Sequence, residues 1–177
     1  DKPHLIGEYG AGADPRLHSF DNAPFDFTEE YALKSHKSHL RIIKEKDAII
    51  GAAIWNFADF GSETRADSEP HLNSKGLIHY DRTPKSSYYF YQANLLDEPF
   101  TAIGAKSWPE RAGVEDDPGS LSVQQKVDVF SNGQIVELFH NGVSLGEKMP
   151  NDIRVAEFDV DFVHGMNELR ADRKSTR

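Results

Sequence analysis

Glu8 is the first side chain whose type and position could do chemistry. In Leu5-Ile6-Gly7-Glu8-Tyr9-Gly10 two aliphatic residues enter a short apolar strand, Gly7 lets other groups approach, and Glu8 stands at the strand's end. Gly10, Gly12 and Pro15 then break regular structure. A carboxylate at the end of a buried strand is costly unless it is hydrogen-bonded or put to work. The bland alternative, a glutamate that caps a loop, stays open at this point. A second stretch, Ile49-Ile50-Gly51-Ala52-Ala53-Ile54-Trp55-Asn56-Phe57-Ala58-Asp59-Phe60, is another apolar strand that ends in aromatic and polar residues. A helix lies between the two. Strand, helix, strand is the repeating unit of a parallel α/β sheet or barrel, whose C-terminal strand ends face the active site. Glu8 and Trp55 can therefore line one pocket.

The elements that must position them follow from pattern. The loop 10–25 is rich in Gly, Pro, Asp and Asn, and Asp14-Pro15-Arg16 shapes the rim of the site. Its glycines lack the spacing of a dinucleotide fingerprint and the Lys-Ser/Thr of a phosphate loop. Asp26 as N-cap and Glu29 reaching back predict a helix start, and the helix runs to about Lys46 with Leu33, Leu40 and Ile43 on one face. His36 and His39 sit three apart, but with no third ligand nearby they read as a solvated pair and not a metal site. The strand over 48–57 is apolar on both faces, as for a strand covered on both sides. Residues Asp59–Leu77 read as a long polar loop holding Arg65, Asp67, Glu69, His71, Asn73 and Lys75. Thr83 as N-cap and Pro84 at the first helical position start a helix to about Leu96, with Tyr88, Tyr91 and Leu95 inward.

Asp97-Glu98-Pro99 breaks that helix and divides the chain into residues 1–97, α/β, and residues 98–177, all-β. Val127 and Val129 alternate with charged neighbours; Ala156, Phe158, Val160 and Phe162 do the same. Asn132-Gly133 reads as a hairpin turn into a returning strand over 135–140, Asn141-Gly142 as a second turn, and His164-Gly165 as a turn into a last strand over 168–171. Short strands with regular turns predict an immunoglobulin-like sandwich. The polar tail from Arg173 is expected to fray.

Four motifs then occur in order: Glu8-Tyr9-Gly10; Trp55-Asn56-Phe57-Ala58-Asp59-Phe60; Asn73-Ser74-Lys75-Gly76-Leu77; and Asp81-Arg82-Thr83-Pro84-Lys85. Together they resemble the C-terminal part of a glycoside hydrolase family 2 enzyme, the family of β-galactosidases, β-glucuronidases and β-mannosidases. The resemblance covers residues 1 to 97 and continues more weakly into the β-sandwich that bacterial members often append. It implies the last two βα units of a TIM barrel, with Glu8 ending the seventh strand as nucleophile of a retaining mechanism. Two carboxyl groups roughly 5 Å apart are needed for that chemistry. The acid/base partner implied by the family, a Glu preceded by Asn, lies upstream; Glu63 and Glu69 sit in a loop and are not assigned to the role. The chain alone is accordingly expected to be inactive, and its parent active. Trp55 offers an aromatic face to the C–H side of a sugar and Asn56 a polar neighbour. Asn73-Ser74-Lys75 matches the spacing with which β-glucuronidases grip the sugar's carboxylate. Related β-galactosidases carry similar stretches, so terminal β-galactosides are placed narrowly ahead of glucuronides. Asp59 is read as orienting loop groups or making a structural hydrogen bond, and Arg82 and Lys85 as anchoring the last helix. A second class of function is a carbohydrate-binding module in residues 98–177, with Trp108, Phe139 and His140 as contacts and aromatic rings flat on one exposed face.

Composition narrows the partners. The 177 residues suit one or two domains, and 38% hydrophobic residues with 13 glycines suffice for a core. A net charge of −9 with no basic cluster speaks against nucleic acid. No apolar run nears the roughly 20 residues of a bilayer span. Without cysteine there is no disulfide or thiolate chemistry. No cofactor or metal is expected; the partner is a carbohydrate, and a homo-oligomer of the parent is compatible with this reading. A bacterial periplasmic or secreted location is placed ahead of a cytoplasmic one. Starting just before an apolar strand, without Met or signal peptide, the sequence reads as a piece of a longer protein.

Overall fold

The computed structural model describes residues 2–21, 23–115 and 117–174. The chain divides into two compact units, Asp1–Tyr88 and Tyr89–Arg177.

The first unit is built on a βαβ motif. β1 (His4–Tyr9) and β2 (Ile49–Ile54) pair in parallel, with Leu5 opposite Gly51 and Tyr9 opposite Ile54. Between them runs α1 (Glu29–Glu45), which buries Ala32, Leu33, His36 and Leu40 along one stripe. Its N-cap is Thr28, whose Oγ1 accepts from the Tyr31 N–H at 3.0 Å, and not Asp26. Asp26 instead braces the cap: its Oδ1 accepts from Thr28 N at 2.8 Å and from Thr28 Oγ1 at 2.9 Å. Leu5 and Ile50 are 72% and 71% exposed. The both-face covering expected of β2 is therefore missing, because among the described residues this sheet has only two strands.

Residues expected to form one long loop contain a hairpin, β3 (Phe60–Ala66) and β4 (Pro70–Asn73), antiparallel with Phe60 opposite Asn73. Its polar sequence hides it, since neither face has the apolar alternation that marks a half-buried strand. α2 (Ser86–Leu95) begins two residues beyond the predicted Pro84 start. It buries Tyr91 while Leu95 is 72% exposed, contrary to the inward face expected of that leucine.

In the second unit β5 (Thr101–Ile103), β6 (Ser122–Ser131) and β9 (Val155–Val163) form one antiparallel sheet in the order β5-β6-β9. β7 (Ile135–His140), β8 (Val143–Lys148) and β10 (Leu169–Lys174) form another in the order β10-β7-β8. Alternate residues of both sheets, Val127, Val129, Val136, Leu138, Ala156, Phe158 and Val160, make one core cluster. Full burial of such side chains is worth roughly 1.5–3 kcal/mol each. Asn141-Gly142 is the predicted hairpin turn, with φ of 50° and 80° as a type I′ turn requires. Asn132-Gly133 is not a hairpin, because β6 and β7 belong to different sheets. The Asn132 side chain accepts from Phe100 N at 2.8 Å and donates to Leu96 O and Glu98 O at 3.1 and 2.7 Å, which makes it a corner between sheets. Strand β10 runs through Arg173 and Lys174, where fraying was expected; Lys174 Nζ lies 2.7 Å from Glu137 and also pairs with Glu147. Ser175, Thr176 and Arg177 lie outside the described residues. No helix among the described residues is long and apolar enough to cross a membrane.

Candidate active site

Backbone hydrogen bonds draw the four sequence-selected residues to one end of the parallel pair. Trp55 N donates to Tyr9 O at 2.8 Å, which sets the residue after β2 beside the residue after Glu8. Asn56 N then donates to Lys75 O, and Leu77 N to Asn56 O, both at 3.0 Å. Ala13 N donates to Ser74 O at 3.0 Å. The loop after β1, the segment after β2 and the stretch Asn73–Leu77 are thus stitched side by side. Glycine makes this approach possible: a Cβ on Gly10 would lie 2.4 Å from Trp55 O, and one on Gly76 would lie 2.3 Å from Asp59 N. Neither contact is compatible with a side chain.

Within this frame Glu8 is exposed and Tyr9 buried. Trp55 is 42% exposed, with the Phe60 ring edge-on at 6.1 Å; the Trp55–Asn56 peptide is cis. Asn73 is buried, and its Oδ1 accepts from Lys75 N at 3.2 Å, a local turn that fixes the loop. Lys75 is half-buried, and no ion pair engages it among the described residues. At the rim Asp14, fully buried, accepts from Arg16 Nε at 2.9 Å and Nη2 at 2.6 Å. These bonds hold its carboxyl down at about 2. Arg16 Nη2 also reaches Ser68 O at 3.2 Å and so ties this loop to the β3–β4 turn.

Sequence reasoning placed Asp59 and Lys85 in supporting roles without seeing that they are partners. Lys85 Nζ, 1% exposed, donates to Asp59 Oδ1 and Ser74 O at 2.9 Å and to Ala13 O at 3.3 Å. Three acceptors match the three N–H groups of an ammonium, so the charged form is the one the site satisfies. Burial alone pushes the Lys85 ammonium down and the Asp59 carboxyl up; their mutual attraction opposes both shifts. Asp59 Oδ1 also accepts from Gly76 N at 2.8 Å, and His79 Nδ1 stands 3.8 Å from Asp59 Oδ2.

Two further groups were misread from sequence. Glu29 is buried and accepts the Ser86 N–H at 2.6 Å, so it caps α2, a role the reading of it as the α1 capping partner did not foresee. His36 is not solvated but 1% exposed, edge-on to Tyr9 at 5.9 Å, while His39 stacks on the same ring at 5.0 Å. Desolvation first, then the His39 and Lys85 charges, lower the His36 imidazole to about 4. The apolar stripe of α1 was the available signal, since His36 lies one turn from Leu33 and Leu40. In the second unit Arg111 lies 5.2 Å over the Trp108 ring and Arg170 4.0 Å over Phe139, so a guanidinium covers one face of each of these two rings, while His140 Nε2 lies 2.8 Å from Asn167 Oδ1.

Residues 1–97 match the family described as "Glycosyl hydrolases family 2, TIM barrel domain", and residues 123–175 match a domain of unknown function, DUF4982. The β-glucuronidase of Bacteroides fragilis is 32% identical over 175 residues, 93% of this chain and 24% of that protein. Among solved structures, Bacteroides uniformis β-glucuronidase 2 covalently bound to cyclophellitol-6-carboxylate aziridine aligns with a TM-score of 0.83 and 36% identity, covering 98% of this chain and 22% of that one. The Parabacteroides merdae β-glucuronidase with glycerol in its active site aligns with a TM-score of 0.86 and 31% identity, covering 97% and 23%. The chain therefore spans a quarter or less of the length of each of these proteins.

Proposed function

The chain belongs to glycosyl hydrolase family 2, and from that premise we propose that it is part of a retaining β-glucuronidase in which Glu8 is the nucleophile. The observation that carries this reading is the stitching of Asn73–Lys75 to Asn56, and of Trp55 to Tyr9, which puts a lysine at the same sheet end as an exposed glutamate. The relatives' names favour the glucuronide over the galactoside that the sequence put first. A uronate differs from a galactose in carrying a carboxylate, and an ammonium with an amide N–H is the fitting pair of donors for it. Asn73 Oδ1 is taken by the Lys75 N–H, which leaves Nδ2 as the donating end.

In the proposed reaction Glu8 attacks the anomeric carbon while the bond to the leaving oxygen breaks, and an acid supplied from upstream protonates that oxygen. Water, deprotonated by the same upstream group, then releases the sugar from Glu8. Trp55 carries the apolar face of the ring, and Lys75 with Asn73 fixes the end that bears the carboxylate. The carbohydrate is the proposed partner, and the parent's self-association remains part of the proposal. We take the second unit as an immunoglobulin-like spacer, on the support of its two antiparallel sheets closing on one core.

The test is covalent trapping in the full-length protein, incubated separately with 2-fluoro-glucuronyl and 2-fluoro-galactosyl fluorides and mapped by peptide mass spectrometry. An adduct on Glu8 from the glucuronyl reagent alone is expected. An adduct from the galactosyl reagent alone would restore the galactosidase, and a folded protein left unmodified at Glu8 by both would remove the nucleophile assignment.

A further inference from the structure

We propose that Lys85 and Asp59 are positioning residues for the substrate's carboxylate: one buried ammonium registers the Asn73–Lys75 loop on the loop that follows Glu8. The inference rests on the glucuronidase reading. Its basis is that a single atom, Lys85 Nζ, touches both loops at once, taking Ser74 O at 2.9 Å and Ala13 O at 3.3 Å. Ser74 lies between the two proposed carboxylate donors. Ser74 O also accepts from Ala13 N at 3.0 Å, so the same carbonyl joins both loops directly and through the lysine. Asp59 closes the far side. Its Oδ1 takes Lys85 Nζ at 2.9 Å and Gly76 N at 2.8 Å, which fixes the residue after Lys75. The segment Ser74–Gly76 is thus held at both ends by one ion pair, while Lys75, between them, projects a side chain with no ion-pair partner among the described residues.

The pair itself does not meet the sugar: Lys85 and Asp59 are each 1% exposed. Its burial is what makes it stiff, since an ammonium with three fixed acceptors in a dry site has no alternative hydration to move into. Gly76 adds to this stiffness, because its backbone packs against Asp59 and leaves no space for a Cβ. A displacement of the loop by a fraction of an ångström would carry Lys75 away from a carboxylate that Glu8 and Trp55 hold elsewhere. Groups that orient a binding residue typically change affinity by about 10–100-fold when removed.

The experiment is a double-mutant cycle in the full-length protein, assayed with 4-nitrophenyl β-D-glucuronide. Lys85→Met is expected to raise KM about 10-fold or more with kcat changed by less than about 3-fold. Lys75→Ala should raise KM by itself, and adding Lys85→Met to it should cost little more, because the buried lysine acts through Lys75. Asp59→Ala should reproduce Lys85→Met. Asp59→Asn, which keeps an oxygen for Gly76 N but removes the charge opposite Lys85, should raise KM less than Asp59→Ala does. The Asp59 pair decides the matter should Lys85→Met fail to fold. If Lys75→Ala leaves KM for the glucuronide untouched, the glucuronidase reading fails and the positioning role with it. If Lys75→Ala raises KM but the effects of Lys75 and Lys85 add independently, or Lys85→Met lowers kcat alone, the positioning role fails while the reading stands.

Discussion

Acidification from pH 7 to pH 5 should weaken the packing of α1 through His36. The ring is 1% exposed, and its imidazole sits at about 4 against an ordinary 6.5. In the unfolded chain the same ring takes up its proton as the pH falls through 6.5; in the native state burial refuses that proton until about pH 4. The unfolded state binds more protons throughout this window, so stability is full above the unfolded value and falls with falling pH. Integrated from pH 7 to pH 5, the difference amounts to about 2 kcal/mol, or about 20-fold in an opening equilibrium. His36→Gln keeps size and polarity but cannot titrate. Hydrogen exchange of the α1 peptide in the full-length protein, corrected for intrinsic exchange at each pH, reads the opening directly. Wild-type protection should drop about 20-fold more than that of the variant. An equal drop in both would mean that His36 carries its proton in the native state well above pH 4, and that burial beside Tyr9 does not hold it neutral.

Glu29→Ala removes the acceptor of the Ser86 N–H, a charge-assisted bond of 2.6 Å at the start of α2. It should cost about 1.5–3 kcal/mol, seen as faster exchange over residues 86–90, whereas Glu29→Gln should recover most of it. Unchanged exchange in Glu29→Ala would show that α2 draws nothing from this cap. Phe158→Ala empties the centre of the second unit's core, where the ring is 1% exposed. A loss of about 3–5 kcal/mol is expected, read as a lowered unfolding midpoint of the β-rich unit by circular dichroism. A shift below about 1 kcal/mol would mean that the two sheets close around the gap.

The strand ends at Glu8 and Trp55 were legible because the signal is local: an apolar run stops at a carboxylate in one place and at an aromatic in another, and parallel pairing then aligns the two ends. The β3–β4 hairpin was not legible, because Ser62, Glu63, Thr64 and Arg65 present polar side chains to both faces and period 2 vanishes. Asn132-Gly133 and Asn141-Gly142 are the same dipeptide with different fates. The second turns a hairpin, whereas the first is claimed by Leu96, Glu98 and Phe100, partners that no window around residue 132 contains. Glu29 shows the same limit: its capping pattern is written in four residues, yet its carboxylate went to Ser86. His36 was read as solvated because no third ligand stands near the pair in sequence, whereas in the fold it is 1% exposed and edge-on to Tyr9, a residue 27 positions away. Short-range chemistry was readable, and pairings across long separations were not.

The Glu29–Ser86 cap and the Lys85–Ala13 contact join residues 57 and 72 positions apart. Contacts at such separations close long loops and tend to form late, after local helices and hairpins have assembled. The bonds that register the loops around Glu8 are therefore expected to be absent from much of the folding transition state. Losing them should leave the rate of folding nearly unchanged and speed unfolding. In that sense Lys85 and Glu29 act as latches: they govern how long the assembled site persists, not how quickly the chain finds it.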